Sequence, residues 1–191
     1  MGKYIDELKN NITKTEFSDF TGERKADYDS GIASLVEIFT YHKRHNSHVF
    51  FVGNGGSAAI SSHMTADYMK NGGMNTVSLY DNAVMSCMGN DYGYEMVFSR
   101  PLSFLAKSDD LLVAISSSGE SANIINAIDT VHSNGANVLT LTGFKPENRI
   151  RKLGDHNIYV PSMKYGIVES IHNLILQQIV DEIMERDGVR L

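Results

Sequence analysis

Apolar residues along this chain follow two rhythms. Between Gly31 and Tyr41, Ile32, Leu35, Val36 and Phe39 recur at three- and four-residue spacing, and Ile38 widens the stripe. That spacing predicts an amphipathic helix. His42-Lys43-Arg44-His45 then supply positive charge where a helix C-terminus favours it. The first quarter of the chain therefore reads as helical. From residue 49 the rhythm changes to short apolar runs separated by helix-length segments. Val49–Val52, Thr76–Tyr80, Leu111–Ile115, Val138–Leu141 and Ile158–Val160 read as five strands. Runs without polar alternation suit parallel strands buried on both faces. A final helix, Ile167–Met184, carries Val168, Ile171, Ile175, Ile179 and Ile183 on one stripe, extended by Ile167, Leu174 and Leu176. Alternating strands and helices imply βαβ units in a three-layer α/β/α sandwich around a five-stranded parallel sheet.

Composition adds bounds. The 191 residues are 42% hydrophobic and 21% charged, with three prolines and no repeat or linker, which suggests one domain over 1–191. The single cysteine, Cys87, excludes an internal disulfide and a multi-cysteine zinc site, and it reads as buried packing. No apolar run reaches membrane-spanning length and the N-terminus lacks a secretory h-region, so a cytoplasmic location is expected. A net charge of -6 argues against direct nucleic-acid binding but allows a small anionic ligand.

In an open parallel sheet, ligands sit beyond the carboxyl ends of the strands. Three polar segments fall there, the shortest being Thr142-Gly143 after the fourth strand. Ser116-Ser117-Ser118-Gly119-Glu120-Ser121 joins a strand to a helix starting near Ser121. The free N–H groups and partial positive charge of a helix N-terminus suit a phosphate, and the serine hydroxyls add donors. The competing reading is a serine that merely caps the helix. Gly53-Asn54-Gly55-Gly56-Ser57 reads as a second such loop, or as a tight turn with Ser57 as cap. Neither carries the lysine of a nucleoside-triphosphate loop.

These segments, together with Gly89-Asn90-Asp91-Tyr92-Gly93, Phe98-Ser99-Arg100, Leu141-Thr142-Gly143 and Glu169-Ser170-Ile171-His172, resemble the SIS (sugar isomerase) family. Within it, the chain resembles the phosphoheptose isomerases, which act on sedoheptulose 7-phosphate. The resemblance implies that Asn54, Gly55, Gly56, Asn90, Asp91, Ser116, Ser117, Ser118 and Ser121 hold the sugar phosphate. It implies a homotetramer with active sites between subunits, residues 1–47 contributing to the interface. It also implies a divalent metal, zinc in the family, with His63, Asp67, Glu169 and Gln177 at the ligand positions.

Three of those positions depart from the family. Asp67 replaces a glutamate, Glu169 a glutamine, and Gln177 a histidine, so the set suits manganese or iron(II) as well as zinc. His63 and Asp67 share a helix face, whereas Glu169 and Gln177 stand roughly 12 Å apart along the last helix. Asp67 or Glu169 is then the expected base of an aldose–ketose isomerisation. The alternative is that Glu169 and Gln177 are polar groups at a subunit interface. His172 could orient Glu169 or simply pack; Arg100 and Lys164 could face phosphate or solvent. The expected function is a phosphosugar isomerase, feeding cell-surface polysaccharide synthesis as in the relatives. The alternative function is a noncatalytic sugar-phosphate module, or a regulator that associates with a replication initiator.

Overall fold

The computed structural model describes residues 2–19, 21 and 24–189. Helix α1 (Lys3–Thr13) leads into strands β1 (Glu16–Asp19) and β2 (Arg24–Ala26), then α2 (Tyr28–Arg44). The alternating part follows: β3 (His48–Gly53), α3 (Gly56–Lys70), β4 (Asn75–Val77), α4 (Asn82–Tyr92), α5 (Ser99–Leu105), β5 (Leu111–Ser116), α6 (Ala122–Ser133), β6 (Asn137–Thr142), β7 (His156–Tyr159) and α7 (Tyr165–Arg186).

Among the described residues, seven strands form one sheet in the order β2-β1-β7-β6-β5-β3-β4. The five expected strands are the parallel ones. The other two correct the helical reading of the first quarter: β1 pairs antiparallel with both β7 and β2. The expected second strand is also shorter, ending at Val77.

The central strands sort their side chains strictly by parity. Val49, Phe51, Leu111, Val113, Ile115, Leu139 and Leu141 face one core with α2, α3 and α7. Phe50, Val52, Leu112, Ala114 and Val138 face a second core with α5 and α6. That is the three-layer sandwich, and each fully buried Val, Leu, Ile or Phe contributes roughly 1.5–3 kcal/mol. The α7 stripe is buried within its own chain, leaving only Leu174 of the named residues substantially exposed, at 44%. The rest of the stripe is satisfied within its own chain. Cys87 is exposed on α4, which buries none of its residues. No helix among the described residues is long and apolar enough to cross a membrane.

This order places the site. β4 follows β3 on one side, while β5 lies on β3's other side. The loops after β3 and β5 therefore open away from each other at a topological switch point, where such sheets bind ligands.

Candidate active site

Both polar loops border one small cavity of about 110 Å³. Asn54 and Ser57 come from the first loop, and Ser116, Ser117, Ser118 and Ser121 from the second; Tyr165 and Glu169 of α7 close the wall. Neither serine that could have been a mere helix cap acts as one. Ser57 lies inside α3, whose N-cap is Gly55, and Ser121 occupies the N-cap of α6 without a side-chain capping bond. The first turn of α6 thus has no side-chain cap at its N-terminus beside the serines.

The serine loop is held from behind. Gly119 adopts φ +67° and donates its N–H to Ser116 O (3.1 Å). A side chain at Gly119 would collide with Asn148, so close approach as well as positive φ demands glycine. Buried Asn148 donates from Nδ2 to Gly143 O and Lys145 O, and its Oδ1 accepts from Arg151 N. Ile150 N donates to Gly119 O, and Arg149 N to the Glu120 carboxylate. Within the loop, Ser116 Oγ stands 3.4 Å from Ser121 Oγ, and Ser118 Oγ accepts weakly from Glu120 N. Ser117 is different. Its hydroxyl is buried and has no protein partner, although it borders the cavity. A buried hydroxyl without a partner costs about 1–3 kcal/mol, which a ligand oxygen can recover.

The glycine loop is pinned as firmly. The Tyr80 hydroxyl accepts from Gly53 N (2.7 Å) and donates to Gly53 O (2.8 Å); burial pushes its pKa up to about 12, so it remains a donor. Asn54 and buried Asn123 exchange reciprocal amide bonds of 2.9 and 2.8 Å, and Tyr94 OH donates to Asn54 Oδ1. Asn54 therefore ties the two loops together, with its carbonyl oxygen already doubly engaged.

Glu169 is the carboxylate at the cavity. It packs against Gly56, at the start of α3, and desolvation raises its pKa above the usual carboxylate value. It also borders an open groove of about 990 Å³ along α7, shared with Ile60, Leu174 and Gln177. This groove is the larger of the two, but the unpaired serine hydroxyl and the helix N-terminus lie in the small one.

A model of the SIS domain matches residues 15–143 of the chain. The chain belongs to the SIS domain family. The phosphoheptose isomerase of Akkermansia muciniphila is 33% identical over 162 residues, covering 82% of this chain and 85% of the relative. Phosphoheptose isomerase 1 of Campylobacter jejuni is 35% identical over 160 residues, covering 79% and 86%. In three dimensions, phosphoheptose isomerase GmhA from Neisseria gonorrhoeae superposes with a TM-score of 0.74 at 30% identity, over 80% of this chain and 84% of that one.

Other expected residues of this SIS chain stand elsewhere. Asn90 and Asp91 lie exposed on α4, bonded to each other (2.8 Å), and do not line the serine cavity. His63 Nε2 lies 3.2 Å from Asp67 Oδ2 on α3. His63 is seven residues beyond Gly56, so roughly 10 Å along the axis from the place where Glu169 packs. Because Gly56 meets Glu169 and Tyr68 OH donates to Leu176 O, α3 and α7 run in the same direction, and this separation does not close. Gln177 turns its amide toward Asp181 (3.2 Å). Among the described residues no three His, Cys, Asp or Glu side chains converge as metal ligands. One chain thus offers a divalent ion two close ligands, short of the four of a closed zinc site.

His172 is packed, as one of its two readings had it. It is fully buried, its Nε2 lies 3.0 Å from Thr142 O, and desolvation pushes its pKa down to about 4. Lys164 pairs with Glu7, and Arg100 stacks on Tyr92 and Phe104, so neither lines the cavity. Sequence reasoning missed Asn123, Asn148 and Tyr165. Asn123 sits two residues past Ser121, where the quoted motif ends, and Tyr165 one helical turn before Glu169; Asn148 leaves no local signal.

Proposed function

We propose that this protein is a phosphosugar isomerase that interconverts the aldose and ketose forms of a sugar phosphate such as sedoheptulose 7-phosphate. The observation that carries this reading is the placement of Glu169, a carboxylate of raised pKa, on the wall of a cavity lined mainly by serines, with Asn54, Ile115 and Tyr165.

The serine loop receives the phosphate through the hydroxyls of Ser116, Ser117, Ser118 and Ser121 and the N-terminus of α6. Glu169 takes the proton from the hydroxyl-bearing carbon next to the carbonyl and returns it to the former carbonyl carbon, a 1,2-proton transfer through an enediol, while the proton of the adjacent hydroxyl passes to the carbonyl oxygen. A carboxylate whose pKa is shifted toward neutrality suits that work better than an ordinary one. Ser57 faces the same cavity and is the hydroxyl donor for the sugar's oxygens. No step is assigned to a metal. We place a divalent ion, zinc, manganese or iron(II), at His63 and Asp67, away from the proton-transfer carboxylate. Asp67, paired with His63, is assigned no proton transfer.

We further read the chain as one functional unit including residues 1–47, and as a homotetramer. Ion pairing of Glu7 with Lys164 and the Tyr28–Gln178 hydrogen bond support the first point. The open α7 groove with exposed Leu174 supports the second. Incubating the protein with sedoheptulose 7-phosphate and shorter ketose phosphates, followed by NMR, tests the function. Appearance of the aldose isomer is expected. Binding without conversion of any of them would favour a noncatalytic module.

A further inference from the structure

We propose that Tyr165 is a substrate-contacting residue whose ring walls the serine cavity and turns the sugar of a bound sugar phosphate toward Glu169. The inference rests on the serine loop receiving the phosphate. Tyr165 opens α7 one helical turn before Glu169, so the two side chains share a helix face, and both line the 110 Å³ cavity.

The ring is supported by a second aromatic ring, and its backbone by contacts on either side. It meets the Phe144 ring edge-on, with centroids 4.8 Å apart and planes at 75°. Phe144 is itself clamped: its N–H donates to Ser162 O (3.0 Å) and its carbonyl accepts from the Tyr159 hydroxyl (2.8 Å). The residues on either side of Tyr165 are tied to α1. Lys164 Nζ donates to the Glu7 carboxylate (2.7 Å), and Gly166 packs against the Tyr4 hydroxyl. Despite this support Tyr165 remains 60% exposed. What sets it apart from the other exposed tyrosines is its place on the cavity wall, where it offers an apolar ring face to the carbon–hydrogen side of a sugar. The serines bind oxygens, and the ring supplies the apolar surface that they lack.

Calorimetry on the full chain, with inorganic phosphate and with sedoheptulose 7-phosphate as separate ligands, tests this. Inorganic phosphate offers the serines an anion but carries no carbon–hydrogen face for the ring. Tyr165→Leu is expected to weaken the sugar phosphate about tenfold, about 1.4 kcal/mol, while changing inorganic phosphate by less than about twofold. Tyr165→Phe keeps the ring and should restore wild-type affinity, and Phe144→Leu, which removes its support, should fall between. Unchanged sugar-phosphate affinity in Tyr165→Leu overturns the proposal. So does an equal loss for both ligands, which would mark a merely structural role, and so does a wild-type protein that binds neither. A wild type that binds the sugar phosphate without isomerising it contradicts the isomerase reading while leaving this comparison intact.

Discussion

The carboxylate of Glu169 lies in the space that a side chain at Gly56 would fill. The absence of a side chain on the first residue of α3 is therefore what lets an acid from α7 reach the cavity between the two loops.

Gly56→Ala should consequently injure activity more than stability. Alanine is the better helix former by up to about 1 kcal/mol, so α3 itself gains. The added methyl, however, must displace Glu169. We expect kcat/KM to fall by at least about tenfold, equivalent to about 1.4 kcal/mol of transition-state stabilisation, with Tm held or slightly changed. An active variant with unaltered kinetics would show that the Glu169 position is not set by this contact.

How far the sequence reaches is visible in the same elements. The parallel strands were legible because both faces of β5 are buried, which leaves an uninterrupted apolar run from Leu111 to Ile115. The β1 strand, Glu16-Phe17-Ser18-Asp19, was not, because it offers one apolar residue and owes its extended form to pairing with β7 and β2. Cys87 misled for a similar reason: α4 looks apolar enough to pack, yet its burial depends on tertiary placement, which composition does not encode. The phosphate loops were legible from glycine and serine after predicted strands. Tyr165 was not, since an aromatic beside an apolar helix stripe reads as core. The separation of His63 and Asp67 from Glu169 depended on how α3 and α7 are aligned, which no local pattern records.

Stability should decline on mild acidification. His172 is neutral in the fold with a pKa lowered to about 4, against 6.5 for an unperturbed histidine. Below pH 6.5 the unfolded chain takes up a proton that the native state refuses. Its stabilising contribution is therefore complete above pH 6.5 and is lost as pH falls toward 4, to a total of about 3 kcal/mol. Burial lowers the pKa of His42 too, with the same sign. Urea unfolding at pH 7 and pH 4.5 should show the loss, and His172→Leu should flatten the slope between them. An unchanged slope in that variant would mean that His172 does not carry the dependence.

Metal removal gives a further expectation. Of the four expected ligands only His63 and Asp67 pair closely within one chain, so zinc should bind weakly, and a chelator should leave isomerase activity essentially intact. His63→Ala should reduce zinc uptake without altering phosphate affinity. Activity abolished by a chelator and restored by zinc would place the ion in the reaction and overturn the assignment to Glu169 alone.

Assembly is expected at the groove along α7, where Leu174 is exposed although the rest of the stripe is buried. Light scattering at micromolar concentration should give a mass near four chains, and Leu174→Lys should lower it. A monomeric wild type would contradict the tetramer.

The central assignment is the proton transfer by Glu169, and isomerisation of sedoheptulose 7-phosphate in deuterium oxide, followed by NMR, tests it most directly. Wild-type protein should form the aldose isomer and place solvent deuterium on the carbons flanking the transferred proton. Its kcat/KM should rise with pH through a midpoint above the ordinary carboxylate value of 4.5, because burial raises the Glu169 pKa. Glu169→Gln should still bind the sugar phosphate but lose about 10²–10⁴-fold in kcat, together with the deuterium exchange. Full turnover and exchange in Glu169→Gln would contradict the account.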